Sequence, residues 1–516
     1  MRLIDFFDQG VAREPERPFL IGDSLTLTYR EVQTASHRIA RAMHASGIAP
    51  DAKAAVFSPN DVRAFQSVIG ILRAGCVWVP VNLRDTVEDN FHILERSDVE
   101  VLYFHSSASA AVDRFQAACP KIRVYVCVDG QSELGPSLEQ WISGYPADPP
   151  VDIARGPNDV ATLLSTGGTT GAPKGAMTTQ LNWETAIAMT TSYFRCADPV
   201  LLVAAPMTHV GGGFALALMN QGTTCVVLPA FDAERLMQMI PRYRATHLFL
   251  PPTAIYMMLA HPDVRRHDYS SLRYFLHSAA PMSPDKLKEA VEVFGPAMCQ
   301  CYAQTEAILA LTHMPPEEYA AALKDPAKAH RLASCGRPGF LVRMEIVDDE
   351  GGLLPHDEPG EIIVKSNLTM LGYYKNPEET QRVEAGGWHH TGDIGYRDED
   401  GFIYIVDRKR DMIISGGFNI FPGEIERVLL SHPRVRDCAV VGVPDEKWGE
   451  AVKAVIATRD GGVDIVELES LCRERLSSIK VPKSFEIWDE LPRSPVGKLL
   501  KRKIREKFWA GSGRRI

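Results

Sequence analysis

No stretch of this 516-residue chain reaches the ~18 consecutive apolar residues that a membrane-crossing helix requires, and the run from Phe214 to Met219 falls far short. Positive charge is not in excess either: 56 Lys and Arg face 65 Asp and Glu, a formal net charge of −9. That balance argues against a protein that grips nucleic acid over a broad surface. The basic stretch from Lys498 to Lys507 therefore reads as the solvated face of a terminal helix. The ten cysteines are scattered, with no framework of paired spacings, as expected of free thiols in a reducing compartment. Cys299-Gln-Cys301 lacks a second pair nearby and makes no zinc site. Repeats, low-complexity tracts and long heptads are absent. Asp5 and Asp8 interrupt what would be the apolar core of a signal peptide, and Gly513-Arg-Arg-Ile516 is neither a peroxisomal nor an endoplasmic-reticulum address. The expectation is a cytoplasmic protein with no nucleic-acid partner and no membrane span.

What is present is an ordinary globular balance, 45% hydrophobic and 23% charged. The length suits about three domain-sized units, or one large domain and a small one. Strands and helices alternate. Residues 232–244 place Leu236, Met239, Ile240 and Tyr243 on one helical face. His247-Leu-Phe-Leu250 follows as a short strand stopped by Pro251-Pro252, and 272–276 and 160–165 read as two more. This alternation predicts an α/β fold with largely parallel, layered sheets. Ligands in such folds sit beyond the carboxyl ends of the strands.

The tail differs. Residues 435–443 and 451–457 read as strands and 466–476 as a helix. Between the apolar stretches 402–406 and 412–414 lies Asp407-Arg-Lys-Arg-Asp411, five consecutive charges that burial would penalise. This run is expected to be exposed and to act as a boundary. The division it predicts is a large domain over 1–407, a hinge at 408–411 and a smaller domain over 412–516.

The most informative stretch is Ser165-Thr-Gly-Gly-Thr-Thr-Gly-Ala-Pro-Lys-Gly175. Its four glycines let backbone amides approach a ligand closely, its threonines add hydroxyls, and Lys174 adds a mobile cation. Amides, hydroxyls and one lysine are what a polyphosphate needs. A flexible linker has no reason to follow an apolar strand or to end in Pro-Lys-Gly. The loop is not a Walker A loop, because Lys174 is followed by Gly175 rather than Ser or Thr. Gly211-Gly-Gly213 is not a dinucleotide fingerprint, because Leu216 stands where its third glycine would be.

Thr166-Gly-Gly-Thr-Thr-Gly-Ala-Pro-Lys-Gly175 resembles the signature loop of the AMP-forming adenylating enzymes: acyl-CoA synthetases, adenylation domains of peptide synthetases and firefly luciferases. Further motifs follow in the family's order: Tyr302-Ala-Gln-Thr-Glu306, Thr391-Gly-Asp393, the run 407–411, and Pro492-Arg-Ser-Pro-Val-Gly-Lys498. Three positions depart from the usual pattern. Gly167 replaces a serine, Ala303 a glycine, and Arg410 the commoner aspartate or lysine. None removes a charge the chemistry needs. The resemblance implies a large N-terminal α/β domain, a small mobile α+β C-terminal domain, and activation of a carboxylic acid by ATP with release of pyrophosphate.

Roles follow from the same resemblance. Lys174 would neutralise the terminal phosphates, within a cradle of Thr166, Gly168, Thr169, Thr170 and Gly171. Glu306 would hold Mg²⁺, a hard cation suited to oxygen ligands. Thr305 would contact the α-phosphate, and Tyr302, with Ala303 beside it, would stack on adenine against the small-residue turn Ser278-Ala279-Ala280. Asp393 would accept the ribose hydroxyls, with Arg408 helping to hold ribose or phosphate, and Lys498 would bridge the attacking carboxylate and the α-phosphate. His209, Gly212, Gly213 and Phe214 would line the acyl pocket, His209 as a gate and the glycines leaving room. After rotation about Arg410, Gly416, Gly417 and Phe418 would border the tunnel for the thiol of CoA. The reading is an acid:CoA ligase, with a stand-alone enzyme loading a carrier protein as its alternative. The acid, whether fatty, aryl or ring-bearing, is not named by the sequence. A homodimer is held open.

Overall fold

The computed structural model describes residues 1–150, 152–166, 173–445, 447–459, 462–493 and 499–510. The chain forms two compact units, Met1–Arg343 with Lys365–His389, and Met344–Val364 with His390–Ile516. This division does not fall at 407/412, and the run 408–411 lies inside the second unit.

Two large sheets organise the first unit among the described residues. One has nine strands in the spatial order Arg337–Pro338, Ala307–Met314, Met298–Gln304, Tyr274–His277, His247–Leu250, Val200–Val203, Thr224–Val227, Pro18–Ile21 and Thr26–Thr28. Its central pairings are parallel and only its edges are antiparallel. The other runs Gly372–Tyr373, Gly175–Thr179, Val160–Ser165, Val77–Val81, Lys53–Phe57, Val99–Phe104 and Val124–Cys127, again parallel through its middle. The central strands are continuous apolar runs rather than alternating ones, because helices bury both faces. Val99, Val101, Leu102, Tyr103 and Phe104 are all fully buried, and Phe57, Val79, Phe104 and Phe115 share one core. The layered, largely parallel α/β expectation is met.

Expected elements return with small shifts. The helix Ala233–Tyr243 buries Leu236, Met237 and Ile240, while Met239 and Tyr243 sit at the margin of that face. The strand expected at 272–276 runs Tyr274–His277, because Leu272 closes a turn onto the Tyr269 carbonyl.

The second unit carries most of the strands Gly360–Lys365 and Trp388–Arg397, the latter pairing antiparallel with Ile403–Arg408, and a further mixed sheet. In the latter, Val435–Asp445 pairs antiparallel with Gly449–Thr458, and Ser484–Ile487 pairs parallel. Alternate residues feed opposite cores. Val440, Val452 and Ala454 face Ile425, Leu429 and Leu468 of the helices Pro422–Leu430 and Ile465–Arg475. Val441, Val455 and Ala457 pack with Leu491 and Ile504.

The charged run is not uniformly exposed. Asp407 and Arg408 complete the strand Ile403–Arg408, and Asp407 is buried. Its two oxygens accept the backbone N–H groups of Gly423 at 2.6 Å and Arg408 at 2.7 Å, and Lys501 lies 3.9 Å away. A charge so paired does not carry the penalty that an isolated one would.

Candidate active site

Parallel pairing aligns strand ends. Val200–Val203, Tyr274–His277 and Met298–Gln304 belong to one parallel set, so 206–209, Ser278-Ala279-Ala280 and Thr305-Glu306 leave the same carboxyl edge of the sheet. The Ser278 hydroxyl donates to the Cys301 carbonyl at 2.7 Å, tying two of these exits together. Ala279 takes a left-handed backbone, φ 72°, and is exposed. Such a conformation in a residue other than glycine costs about 1–3 kcal/mol and is typically kept at ligand sites. Tyr302 is buried, whereas Ala303, Thr305 and Glu306 are half-buried.

Two paired strands flank the proposed phosphate loop. Val160–Ser165 pairs antiparallel with Gly175–Thr179, and the Thr166 N–H donates to the Lys174 carbonyl at 2.8 Å across its neck. Gly168, Thr169, Thr170 and Gly171 lie outside the described residues. Residues 366–374 connect these strands to Glu306. The Met370 N–H donates to the Glu306 carbonyl and the Leu371 N–H to the Met177 carbonyl, both at 2.8 Å, and Gly372–Tyr373 pairs with Gly175–Thr179.

Side chains then converge. The Tyr373 hydroxyl donates to Glu306 Oε1 at 2.7 Å, and Lys174 Nζ lies 5.1 Å from the centroid of the Tyr373 ring. Lys174 forms an ion pair with Glu379, from the helix Pro377–Val383, which also pairs with Arg382. Burial works against the charge of Glu379, but Lys174 and Arg382 outweigh it and hold its carboxyl below its ordinary range. Burial, reinforced by Glu306, pushes the Tyr373 phenol up, so it stays a donor. Sequence reasoning missed Tyr373 and Glu379. They follow Lys174 by about two hundred residues, and Tyr-Tyr-Lys-Asn-Pro-Glu-Glu reads only as a helix start.

At the expected acyl wall the glycines divide. His209 is exposed and precedes the helix Val210–Leu218. A Cβ on Gly212 would lie 1.9 Å from the Met207 carbonyl oxygen, and one on Gly211 2.5 Å from that of Ala205. These two glycines permit backbone to pack on backbone and do not open space for an acyl group. Gly213 alone faces side chains, Trp183 at 3.8 Å and Leu309 at 3.9 Å from the position a Cβ would take. Phe214 is buried edge-on against Phe194, 5.3 Å between centroids, and belongs to the core.

In the second unit, Asp393 and Arg408 are register partners on neighbouring strands, with Arg408 Nε 3.5 Å from Asp393 Oδ1. The Asp393 N–H donates to the Thr391 hydroxyl at 3.1 Å, and that hydroxyl donates to the Ile362 carbonyl at 2.6 Å. These bonds fix the backbone of Asp393, and the residue is buried. Arg410 is exposed. Gly416 and Gly417 both have left-handed backbones, φ 58° and 82°. A Cβ on Gly416 would meet the Trp448 ring at 2.6 Å, whereas Gly417 has open space around it and Phe418 is exposed. Lys498 lies outside the described residues.

Among the described residues no group of three or more His, Cys, Asp or Glu could hold a metal ion, and no helix is long and apolar enough to cross a membrane. Glu306 nevertheless suits Mg²⁺, which takes one or two carboxylates and completes its shell with phosphate oxygens and water. The Tyr373 bond leaves the carboxylate further lone pairs for a cation.

Residues 7–374 match the AMP-binding enzyme family and 424–498 match the AMP-binding enzyme C-terminal domain, so the chain belongs to the AMP-binding enzymes. It is 33% identical over 98% of its length to a fatty acid–[acyl-carrier-protein] ligase of Streptomyces coeruleorubidus, covering 96% of that protein. It is 35% identical over 93% of its length to a feruloyl-CoA synthase of an Amycolatopsis species, covering 94% of it. Among solved structures, the amide bond synthetase McbA from Marinactinospora thermotolerans superposes with a TM-score of 0.88 at 30% identity, over 98% of this chain and all of that one.

Proposed function

We propose that the chain is an AMP-forming carboxylic acid:CoA ligase. The acid's carboxylate attacks the α-phosphorus of ATP, a P–O bond breaks and pyrophosphate leaves. The thiol of CoA then attacks the acyl carbonyl and AMP leaves. Two anions must meet in the first step, so cations must sit where charge develops. The observation that carries the reading is the convergence of Lys174, Tyr373 and Glu306 beside the neck of the glycine-threonine loop, at the carboxyl edge of the parallel strands.

Lys174 pairs with the terminal phosphates, exchanging a carboxylate partner for a phosphate one. Thr166, Gly168, Thr169, Thr170 and Gly171 cradle them. Glu306 would hold Mg²⁺, which would supply charge neutralisation to the triphosphate. Thr305 contacts the α-phosphate, and Tyr302 and Ala303 face adenine opposite Ser278, Ala279 and Ala280. Asp393 accepts the ribose hydroxyls with Arg408 beside it, and Lys498 serves the attacking carboxylate. Arg410 is the hinge of the C-terminal part, and Gly416, Gly417 and Phe418 border the path of the CoA thiol. His209 gates the carboxylate site, and Gly213, bounded by Trp183 and Leu309, forms the acyl wall. The relatives named for fatty and feruloyl substrates make an apolar or aryl acid the class to try first.

A second reading has its own support, since the relative from S. coeruleorubidus is named for transfer to an acyl carrier protein. Pyrophosphate release over a panel of fatty and aryl acids, with CoA, with holo-carrier protein and with neither, tests both. Acid-dependent release with thioester formed on CoA is the expected result. Thioester on the carrier alone selects the second reading, and no acid-dependent release overturns both.

A further inference from the structure

Tyr373 meets both Glu306 and Lys174, the acidic and the basic side chain assigned to the triphosphate. Its hydroxyl donates to Glu306 Oε1 at 2.7 Å and its ring lies 5.1 Å from Lys174 Nζ. The residue is well fixed. It is 6% exposed, its strand pairs with Ala176, and its own N–H donates to the Thr380 hydroxyl at 2.9 Å. The next N–H, of Tyr374, donates to the Gly175 carbonyl at 2.8 Å, so the backbone carrying Tyr373 is bound to the strand that leaves the loop. The Thr380 hydroxyl donates in turn to the Asn376 carbonyl, which binds the strand to the helix carrying Glu379.

A carboxylate with one oxygen taken by a fixed donor can rotate little, and its remaining lone pairs keep one direction. An ammonium beside an aromatic face is drawn to the ring's negative face and keeps its N–H groups for other partners. One rigid side chain thus sets the aim of an acidic group and of a basic group, whose separation must match that between a divalent cation and a terminal phosphate. Tyrosine suits this, because phenylalanine would supply only the ring and an aliphatic residue neither.

We propose that Tyr373 is a positioning residue that aligns the metal carboxylate Glu306 and the phosphate lysine Lys174 to a single Mg²⁺–triphosphate unit. The proposal rests on the reading of Glu306 and Lys174 given above. It predicts that the two halves of the side chain separate experimentally.

Tyr373→Phe removes the hydroxyl and keeps the ring. Mn²⁺ binding in the presence of ATP, read by electron paramagnetic resonance, should weaken about tenfold or more, as for loss of an outer-shell partner of a metal ligand. The KM for ATP at saturating Mg²⁺ should stay within twofold. Tyr373→Leu removes both and should also raise that KM several-fold. Glu306→Gln is the control, and thermal unfolding of every variant separates misfolding from mispositioning. If Tyr373→Phe does not fold, Tyr373→Leu, which keeps apolar volume, decides the metal arm alone.

Mn²⁺ binding unchanged in the folded tyrosine variants, but lost in Glu306→Gln, overturns the proposal and leaves the metal role of Glu306 standing. Mn²⁺ binding unchanged in Glu306→Gln as well overturns both. A uniform loss of binding, KM and melting temperature in Tyr373→Phe marks a merely structural residue and also overturns the proposal.

Discussion

Lys174 in the first unit and Lys501 in the second are both lysines held by a glutamate, and their surroundings differ in every other respect. Lys501 Nζ lies 2.9 Å from Glu426 Oε1 and 3.9 Å from Asp407 Oδ1, and its side chain is 14% exposed. Glu426 Oε1 also accepts the Val440 N–H at 2.7 Å, and Asp407 accepts the Gly423 N–H. Burial alone would lower the pKa of this ammonium, but Glu426, Asp407 and Asp411 outweigh it and push it up. Lys174 has one carboxylate, an aromatic ring and 25% exposure. The first cluster ties a strand to the helices Pro422–Leu430 and Lys501–Trp509 and has no partner to spare. The second holds its lysine by one carboxylate and one ring, which the proposed phosphate role requires it to exchange. A charged pair thus reads as structural or as functional from the number and depth of its partners, not from the residue types in it.

That contrast can be broken from either side. Lys501→Met should give the largest effect, because it leaves two carboxylates without their cation inside the second unit. Loss of one partner of a buried pair costs about 3–5 kcal/mol. Denaturant unfolding should show that loss in the transition reporting the second unit. A loss below about 1 kcal/mol would place Lys501 with ordinary surface pairs. Lys174→Met should do the reverse. Its melting temperature should stay close to that of the parent, while acid-dependent ATP–pyrophosphate exchange falls about 10²–10³-fold, the size seen when one group stabilising a developing charge is removed. Equal losses of stability in the two variants would erase the distinction.

The same contrast explains what was legible in the sequence. Period and apolar runs gave the strands at Val160–Ser165 and His247–Leu250, and the order of five motifs gave the family, because these signals are local. Asp407 was misjudged as exposed because its burial depends on Gly423 and Lys501, and a run of charges carries no sign of partners 16 and 94 residues further on. Gly212 was misjudged as room for a ligand. Glycine next to a site and glycine against a backbone are the same letter, and only the Met207 carbonyl tells them apart. Tyr373 and Glu379 carried no motif, since their place beside Lys174 arises only when a two-residue strand pairs with the strand that follows it.

The smallest effect should come from pH. The Glu379 carboxyl is held below its ordinary value of 4.5 by Lys174 and Arg382, so its proton binds more tightly in the unfolded chain than in the folded one. Its contribution to stability is therefore fully present above 4.5 and is lost as the pH falls through the lowered folded value. Glu379→Gln removes the titration. The melting temperature of the parent should exceed that of the variant at neutral pH, and the gap should narrow below pH 4.5 rather than widen. The side chain is 18% exposed, and Lys174 and Arg382 pair with it, so the effect belongs to this one cluster. A gap that stays constant from neutral to acid pH would show that Glu379 supports the helix Pro377–Val383 by packing alone. It would also remove the replaceable counter-ion on which the contrast with Lys501 depends.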